Sequence, residues 1–477
     1  MFSLIIYSFL LILNCVFTQI IIPFTTIKEN ITPSYYDSSF MSSYFPSKII
    51  TSIKIGTPYQ SINILIKTLR VHTLINSVQM GTYKITRFNE SNSSSYIPLS
   101  DKAYNYGQPD FTFGIKSLEK INFGKNLFFE NYSFILGTED YNNHRETGVL
   151  GLQMGDSDWR VKDVNFIKQL KERNLIHNYT FFISYDDTNI DNNIINERNT
   201  GNLIIGIFPH QYDSNKYNKN NFKEFYAEIV GGSMGLKIKE AHYGNVLIHN
   251  DFKAQLAIED NLIRGTKIFK DILYENFFKK KIDANLCMQS KFDYLDDKGL
   301  IFYYCKNSIN LSEFNNIILK VDNFGINEDS NKENNNSTYL IIELNYKDLF
   351  IEFDNKYFFL MYFPERNYET DYFKLSKIIF QKYLINFNLE TKKIGFYINN
   401  KINNDTTEEK NDTKKINDET EKKDGKLLPW ILVGALILLV LALIGFIIYI
   451  NPCKKRTKRA NELMDDNYTY DEGINQN

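Results

Sequence analysis

The sequence predicts a globular, all-β body of about 350 residues, carried on a stalk, one membrane span and a short tail. Three observations predict the body. Short apolar or alternating runs recur at 49–55, 62–66, 181–185, 203–208 and 340–344, broken by Gly, Asn, Asp or Pro, which is strand patterning. Phe and Tyr number 37 and 32 against 23 Gly and 10 Pro, which favours packed β-structure over a loop-rich scaffold. Helical periodicity is rare. The two best helical candidates are 164–173, with Val164, Ile167 and Leu170 on one face, and 268–277, with Ile268, Ile272 and Leu273.

With 477 residues, 43% of them hydrophobic, the chain is long enough for a sizeable core and too apolar for wholesale disorder. Lys+Arg is 55 against Asp+Glu 57, so no basic excess points to nucleic acid. Four cysteines are too few for a disulfide framework and wrongly spaced for zinc, and no metal or cofactor is expected.

Two apolar segments frame the body. Residues 1–18 read as a secretory signal peptide, although no Lys or Arg precedes the apolar run. Residues 427–450 are uncharged and reach about 36 Å as a helix, enough to cross a bilayer. Lys454, Lys455, Arg456, Lys458 and Arg459 follow directly, so the 451–477 tail is expected in the cytoplasm. The expectation is a single-pass type I membrane protein at the cell surface or in an endomembrane lumen. Residues 401–426 are charged, repetitive and almost free of apolar side chains, as in a solvated stalk. Residues 19–45 read as a polar, extended N-terminal segment. In this topology Cys15 leaves with the signal peptide and Cys453 sits at the membrane edge. Cys287 and Cys305 are then the pair left in the oxidising compartment. Ten glycosylation sequons fall on the outer side, at Asn30, Asn89, Asn92, Asn131, Asn178, Asn310, Asn335, Asn336, Asn404 and Asn411.

The order of several fragments resembles the pepsin-like aspartic proteases. Ile55, Gly56, Thr57 and Pro58, with Ile62 to Ile66 after them, resemble the opening hairpin and the strand into the first active-site loop. Tyr106 and Gly107 resemble the start of the flap hairpin, and Gly148, Val149, Leu150 and Gly151 a hydrophobic-hydrophobic-Gly strand. Ala254, Gln255 and Leu256, then Leu262 to Gly265, flank what resembles the second active-site loop, and Cys287 and Cys305 stand where the family has a second-lobe disulfide. The resemblance implies a bilobal fold with an interlobe cleft, an N-terminal lobe at 46–212 and a C-terminal lobe at 213–400.

The family's chemistry needs two aspartates side by side across the lobes, sharing a proton because both cannot ionise at that distance. Each opens an Asp-Thr/Ser-Gly loop whose hydroxyl braces the opposite loop. Here the first loop reads Lys67, Thr68, Leu69, and the second reads Ala257, Ile258, Glu259. Lys67 and Ala257 stand where the aspartates should, and Thr68 alone matches the motif. No Asp-Thr-Gly or Asp-Ser-Gly occurs in the chain. Phe373, Lys374, Leu375, Ser376 and Lys377 replace the family's Trp-x-Leu-Gly-Asp.

A lysine is a cation where shared negative charge is required, and alanine has no proton to exchange. The expected function is therefore a membrane-anchored, non-catalytic pepsin-like protein whose cleft binds extended peptide. Lys67, Thr68, Tyr106, Gly107 and Glu259 are its expected contacts, and its partners are the membrane and a peptide or protein ligand, with no nucleic acid. Two alternatives stay open: an active protease using a displaced carboxylate pair, and a structural surface glycoprotein with an empty cleft. Glu259 and Asp260 are consecutive, so an extended loop points them apart. Lys67 and Glu259 are expected to meet across the cleft floor.

Overall fold

The computed structural model describes residues 19–28, 47–80, 86–100, 104–105, 112–124, 127–140, 148–153, 164–186, 200–230, 233–294, 297–322, 339–365 and 373–397. These fall in one compact unit. The signal segment, stalk, span and tail lie outside the described residues, as do Tyr106, Gly107, Asn30, Asn335, Asn336, Asn404 and Asn411. Among the described residues no helix is long and apolar enough to cross a membrane.

The opening hairpin pairs Ser47–Ile55 with Gln60–Lys67, Ile50 facing Leu65 and Ile55 facing Gln60. Alternate isoleucines (49, 53, 55, 62, 64 and 66) are buried, as a two-residue side-chain period requires when one face meets the core. Gly56 turns the chain at φ +90°, a conformation that a Cβ makes costly.

This hairpin belongs to a fourteen-stranded sheet. The sheet runs from Phe222–Tyr226 through Lys393–Tyr397, Ile385–Asn388, Thr180–Tyr185, Thr200–Ile205 and Ile20–Lys28 to the hairpin. It then continues through Gly148–Gly151, Leu74–Asn76, Phe128–Asp140 and Thr112–Asn122 to Ile97–Pro98, with Tyr104–Asn105 paired to Thr112–Asn122. Two features differ from expectation. The N-terminal segment is not merely a polar extended arm. Ile20–Lys28 is an interior strand between Thr200–Ile205 and Ser47–Ile55, and Ile20, Ile22 and Phe24 are buried. The sheet also does not end near residue 212, because three strands beyond that point return to it.

A second sheet of eight strands orders Leu340–Leu344, Ile317–Val321, Ser233–Tyr243, Val246–Leu256, Phe373–Leu375, Ile263–Arg264 and Met361–Tyr362, with Glu228–Val230 paired to Ser233–Tyr243. A four-stranded sheet, Cys287–Tyr294, Asp297–Lys306, Lys356–Phe359 and Phe350–Phe353, completes the β-structure. One main apolar core draws side chains from all three sheets, and a smaller one built on Leu262, Phe292, Phe302 and Tyr362 lies against the third.

The 164–173 periodicity becomes the helix Phe166–Glu172, and Val164, Ile167 and Leu170 are fully buried. Asn165 caps it by accepting the Lys168 amide proton at 2.9 Å. The second candidate forms Lys267–Leu273, with Leu273 buried and Ile272 packed against the core as expected but Ile268 turned outward. Ile268 is 44% exposed, while Phe269, Leu273, Phe277 and Phe278 are buried. The helix passes into a π-turn at Tyr274–Phe278, which resets the 3.6-residue period and lets two consecutive phenylalanines face inward. Cys287 and Cys305 are bonded. They face each other directly across antiparallel strands, so their Cα atoms are 3.9 Å apart, closer than the usual span of about 4.4–6.8 Å.

Candidate functional site

The candidate site is where two loops of like construction meet. The first, 68–73, leaves Gln60–Lys67 and enters Leu74–Asn76. Its two flanking strands share the neighbour Gly148–Gly151, in which Val149 faces Leu65 on one side and Leu74 on the other. The second loop, 257–262, leaves Val246–Leu256 and enters Ile263–Arg264. Its flanking strands share Phe373–Leu375, in which Lys374 faces Gln255 and Arg264. In both frames the outer residues are nine apart and the strand directions agree. Counting two residues past Leu65 and Gln255 therefore puts Lys67 and Ala257 in the same place. It also matches Gly151 with Ser376.

Each loop is fixed by its own sheet. The Lys67 carbonyl accepts from the Leu152 amide at 3.0 Å and the Arg70 carbonyl from the Gln153 amide at 2.8 Å. Asn165 donates to the Val71 and Gln153 carbonyls at 2.8 and 2.7 Å, tying the helix cap to the loop. Gly151 leaves room for this, since a Cβ there would lie 2.5 Å from the His72 carbonyl and 2.6 Å from that of Arg70. In the second loop Ala257 donates to the Leu375 carbonyl at 2.9 Å, and Lys377 donates to the Asp260 carbonyl at 2.8 Å. The Asp260 carboxylate lies 2.8 Å from the Lys374 ammonium, both largely shielded from solvent.

Thr68 joins the loops. Its hydroxyl accepts from the Ile258 amide at 3.3 Å and faces the Leu256 carbonyl at 3.5 Å. Glu259 reaches the other way. Its Oε2 accepts from the Thr68 hydroxyl at 2.8 Å and the Thr68 amide at 3.2 Å, and its Oε1 from the Leu69 amide at 3.0 Å. Burial pushes this carboxyl above the usual carboxylate range, and Asp260 adds to the push. Hydrogen bonding with Thr68 and the Lys67 charge oppose it.

Of the expected contacts, the structure brings Thr68 and Glu259 together directly and puts Lys67 beside them. Glu259 crosses the junction as expected. It accepts from the Thr68 hydroxyl and from two backbone amides, and the charge of Lys67 also acts on its proton. Glu259 and Asp260 turn to different partners, as consecutive residues in an open loop do. The Asp260–Lys374 pair and the Asn165 strut were not anticipated. Asn165 stood in the sequence as a helix-capping residue before an apolar run, but nothing there marked Lys374 as an ion-pair partner.

The model for eukaryotic aspartyl proteases matches residues 48–344. The chain belongs to that family. The match covers the opening hairpin, both junction loops and the Cys287–Cys305 bond. No curated protein matches it. Among the sequons within this aspartyl protease family chain's described residues, Asn92, Asn131 and Asn310 are exposed and Asn89 and Asn178 half-buried.

Proposed function

We propose that this family member is non-catalytic: a membrane-anchored pepsin-like protein whose two lobes are held together at the site where the proteases hold their paired aspartates. The observation that carries the reading is the matched position of Lys67 and Ala257 in two loops of like construction. A shared-proton dyad needs two carboxyls there. The one carboxylate that reaches the junction from the second loop, Glu259, has both oxygens engaged by the first loop, and Asp260 is paired with Lys374. Neither leaves a second acid to polarise a scissile carbonyl while the first activates water. The lobes remain able to receive an extended peptide by strand addition, which depends on backbone donors and acceptors rather than on acids.

The test is turnover. The full-length chain, purified in detergent, is expected to cleave no member of a mixed peptide library between about pH 2 and 7, the range over which carboxylate dyads work, and to retain no pepstatin-type inhibitor. Pepstatin-sensitive cleavage that follows the protein through every purification step, and is lost in Glu259→Gln, would establish a displaced acid instead.

A further inference from the structure

Glu259 meets the first loop as a ligand meets a receptor. Three donors converge on its carboxylate. The Thr68 hydroxyl and the Thr68 amide lie 2.8 and 3.2 Å from Oε2, and the Leu69 amide lies 3.0 Å from Oε1. The hydroxyl has one proton, and the Leu256 carbonyl, at 3.5 Å, is beyond an ordinary O–H···O bond, so that proton goes to Glu259. Three donors on two oxygens is the surrounding of an ionised carboxylate. Two successive backbone amides turned towards one anion make an anion-binding concavity. The Lys67 charge beside it favours the anion as well.

The concavity is built without Glu259. The Lys67 and Arg70 carbonyls accept from the Leu152 and Gln153 amides, and Asn165 holds the Val71 carbonyl. The first loop's own neighbours thus set the backbone on both sides of the two amides. Glu259 comes from the second loop, which has its own bonds, from the Ala257 amide to the Leu375 carbonyl and from the Lys377 amide to the Asp260 carbonyl. Receptor and occupant are therefore braced separately. Lys67, Leu69 and Glu259 are half-buried, so the concavity borders solvent instead of being sealed in the core.

We propose that the amides and hydroxyl of residues 68–69 form a carboxylate-binding site that Glu259 fills from within, and that the carboxylate of a bound peptide can take the place of Glu259. Capture of a carboxylate by backbone amides is an established mode of peptide recognition. The peptide as the outside ligand rests on the reading of the cleft given under Proposed function, whereas the site itself does not. Turnover of the peptide library would sink that reading and leave the site standing.

The experiment follows thermal unfolding of the full chain in detergent at pH 7, native and Glu259→Ala. Sodium acetate is titrated against sodium chloride at constant ionic strength. In Glu259→Ala the folded-to-unfolded ratio is expected to rise with acetate, about twofold at a concentration equal to Kd and about tenfold at nine times that concentration. The native chain, with its site filled, should not respond, and Glu259→Ala combined with Thr68→Val should respond more weakly because a donor is missing. An equal effect of acetate and chloride on Glu259→Ala, or an equal acetate response in the native chain, overturns the proposal. If Glu259→Ala does not fold, the same titration of Glu259→Gln decides. Its amide nitrogen sets donor against donor and so yields the site to acetate; no acetate-specific gain there overturns the proposal. Two N-acetylated alanine peptides then identify the source, one with a free C-terminal carboxylate and one amidated with a single glutamate side chain. Stabilisation of the variant by either names the carboxylate that fits, and stabilisation by acetate but by neither peptide overturns the exchange with a peptide.

Discussion

At Thr68 a single hydroxyl serves as acceptor for the Ile258 amide and donor towards the second loop. Thr68 and Ile258 are both buried, so the Ile258 amide cannot turn to water when that acceptor is removed. Thr68→Val keeps the shape and deletes the oxygen. It is expected to cost about 1–3 kcal/mol, the penalty of a buried polar group left unmade, with Thr68→Ser recovering most of it. Chemical denaturation of the full chain measures both, and equal stability of the two variants would show that the hydroxyl carries no part of the junction. The role of Thr68 was legible in the sequence, because it stands where the resemblance implies a hydroxyl that braces the opposite loop. The target of Glu259 was not. Its oxygens go to backbone amides of Thr68 and Leu69, and backbone donors have no letter in the sequence, whereas Lys67 offered an obvious opposite charge.

Elements were read best where period and burial coincide. The strand Leu340–Leu344 begins and ends as expected, because Leu340, Ile342 and Leu344 alternate cleanly into the core. The helix Lys267–Leu273 was read with one residue of its inner face misplaced, since Leu273 and Ile272 pack inward and Ile268 does not. An aliphatic stripe drew attention to Ile268, yet aromatic volume decides the packing. The Phe269 ring lies 4.6 Å from that of Phe373 and 5.8 Å from that of Phe252. Phe269→Ala is thus expected to cost about 3–5 kcal/mol, as core phenylalanine truncations do. Ile268→Ala, on the exposed side, should stay within about 0.5 kcal/mol. Urea midpoints separate the two, and a larger loss at Ile268 would restore the aliphatic face. The strand Ile20–Lys28 was missed as a core element for a related reason. Its apolar residues sit beside a polar stretch, and only pairing with Thr200–Ile205, far along the chain, buries them.

For the whole molecule, the strand order records how the first and last described strands are combined into one body. Ile20–Lys28 and Ile385–Asn388 lie in the same fourteen-stranded sheet, so that sheet closes only after the last strands are made. Such non-local pairing was beyond a reading based on local runs, whereas the two loops were located by the family resemblance and their like construction emerged from the strand registers. A body whose last strand ends at Tyr397, followed within about thirty residues by an uncharged 24-residue run and five basic residues, sets an orientation by the positive-inside rule. On the proposed membrane anchoring, the 86–100 stretch, where Ser91, Asn92, Ser94 and Leu99 are exposed, is expected on the outer side and the 465–477 end on the inner side. Sealed vesicles or intact cells treated with protease should lose an epitope placed in 86–100 and keep one in 465–477, and permeabilisation should expose both. Loss of the tail epitope with survival of the other would reverse the orientation. Loss of both before permeabilisation would place the tail and the body on one side and remove the span.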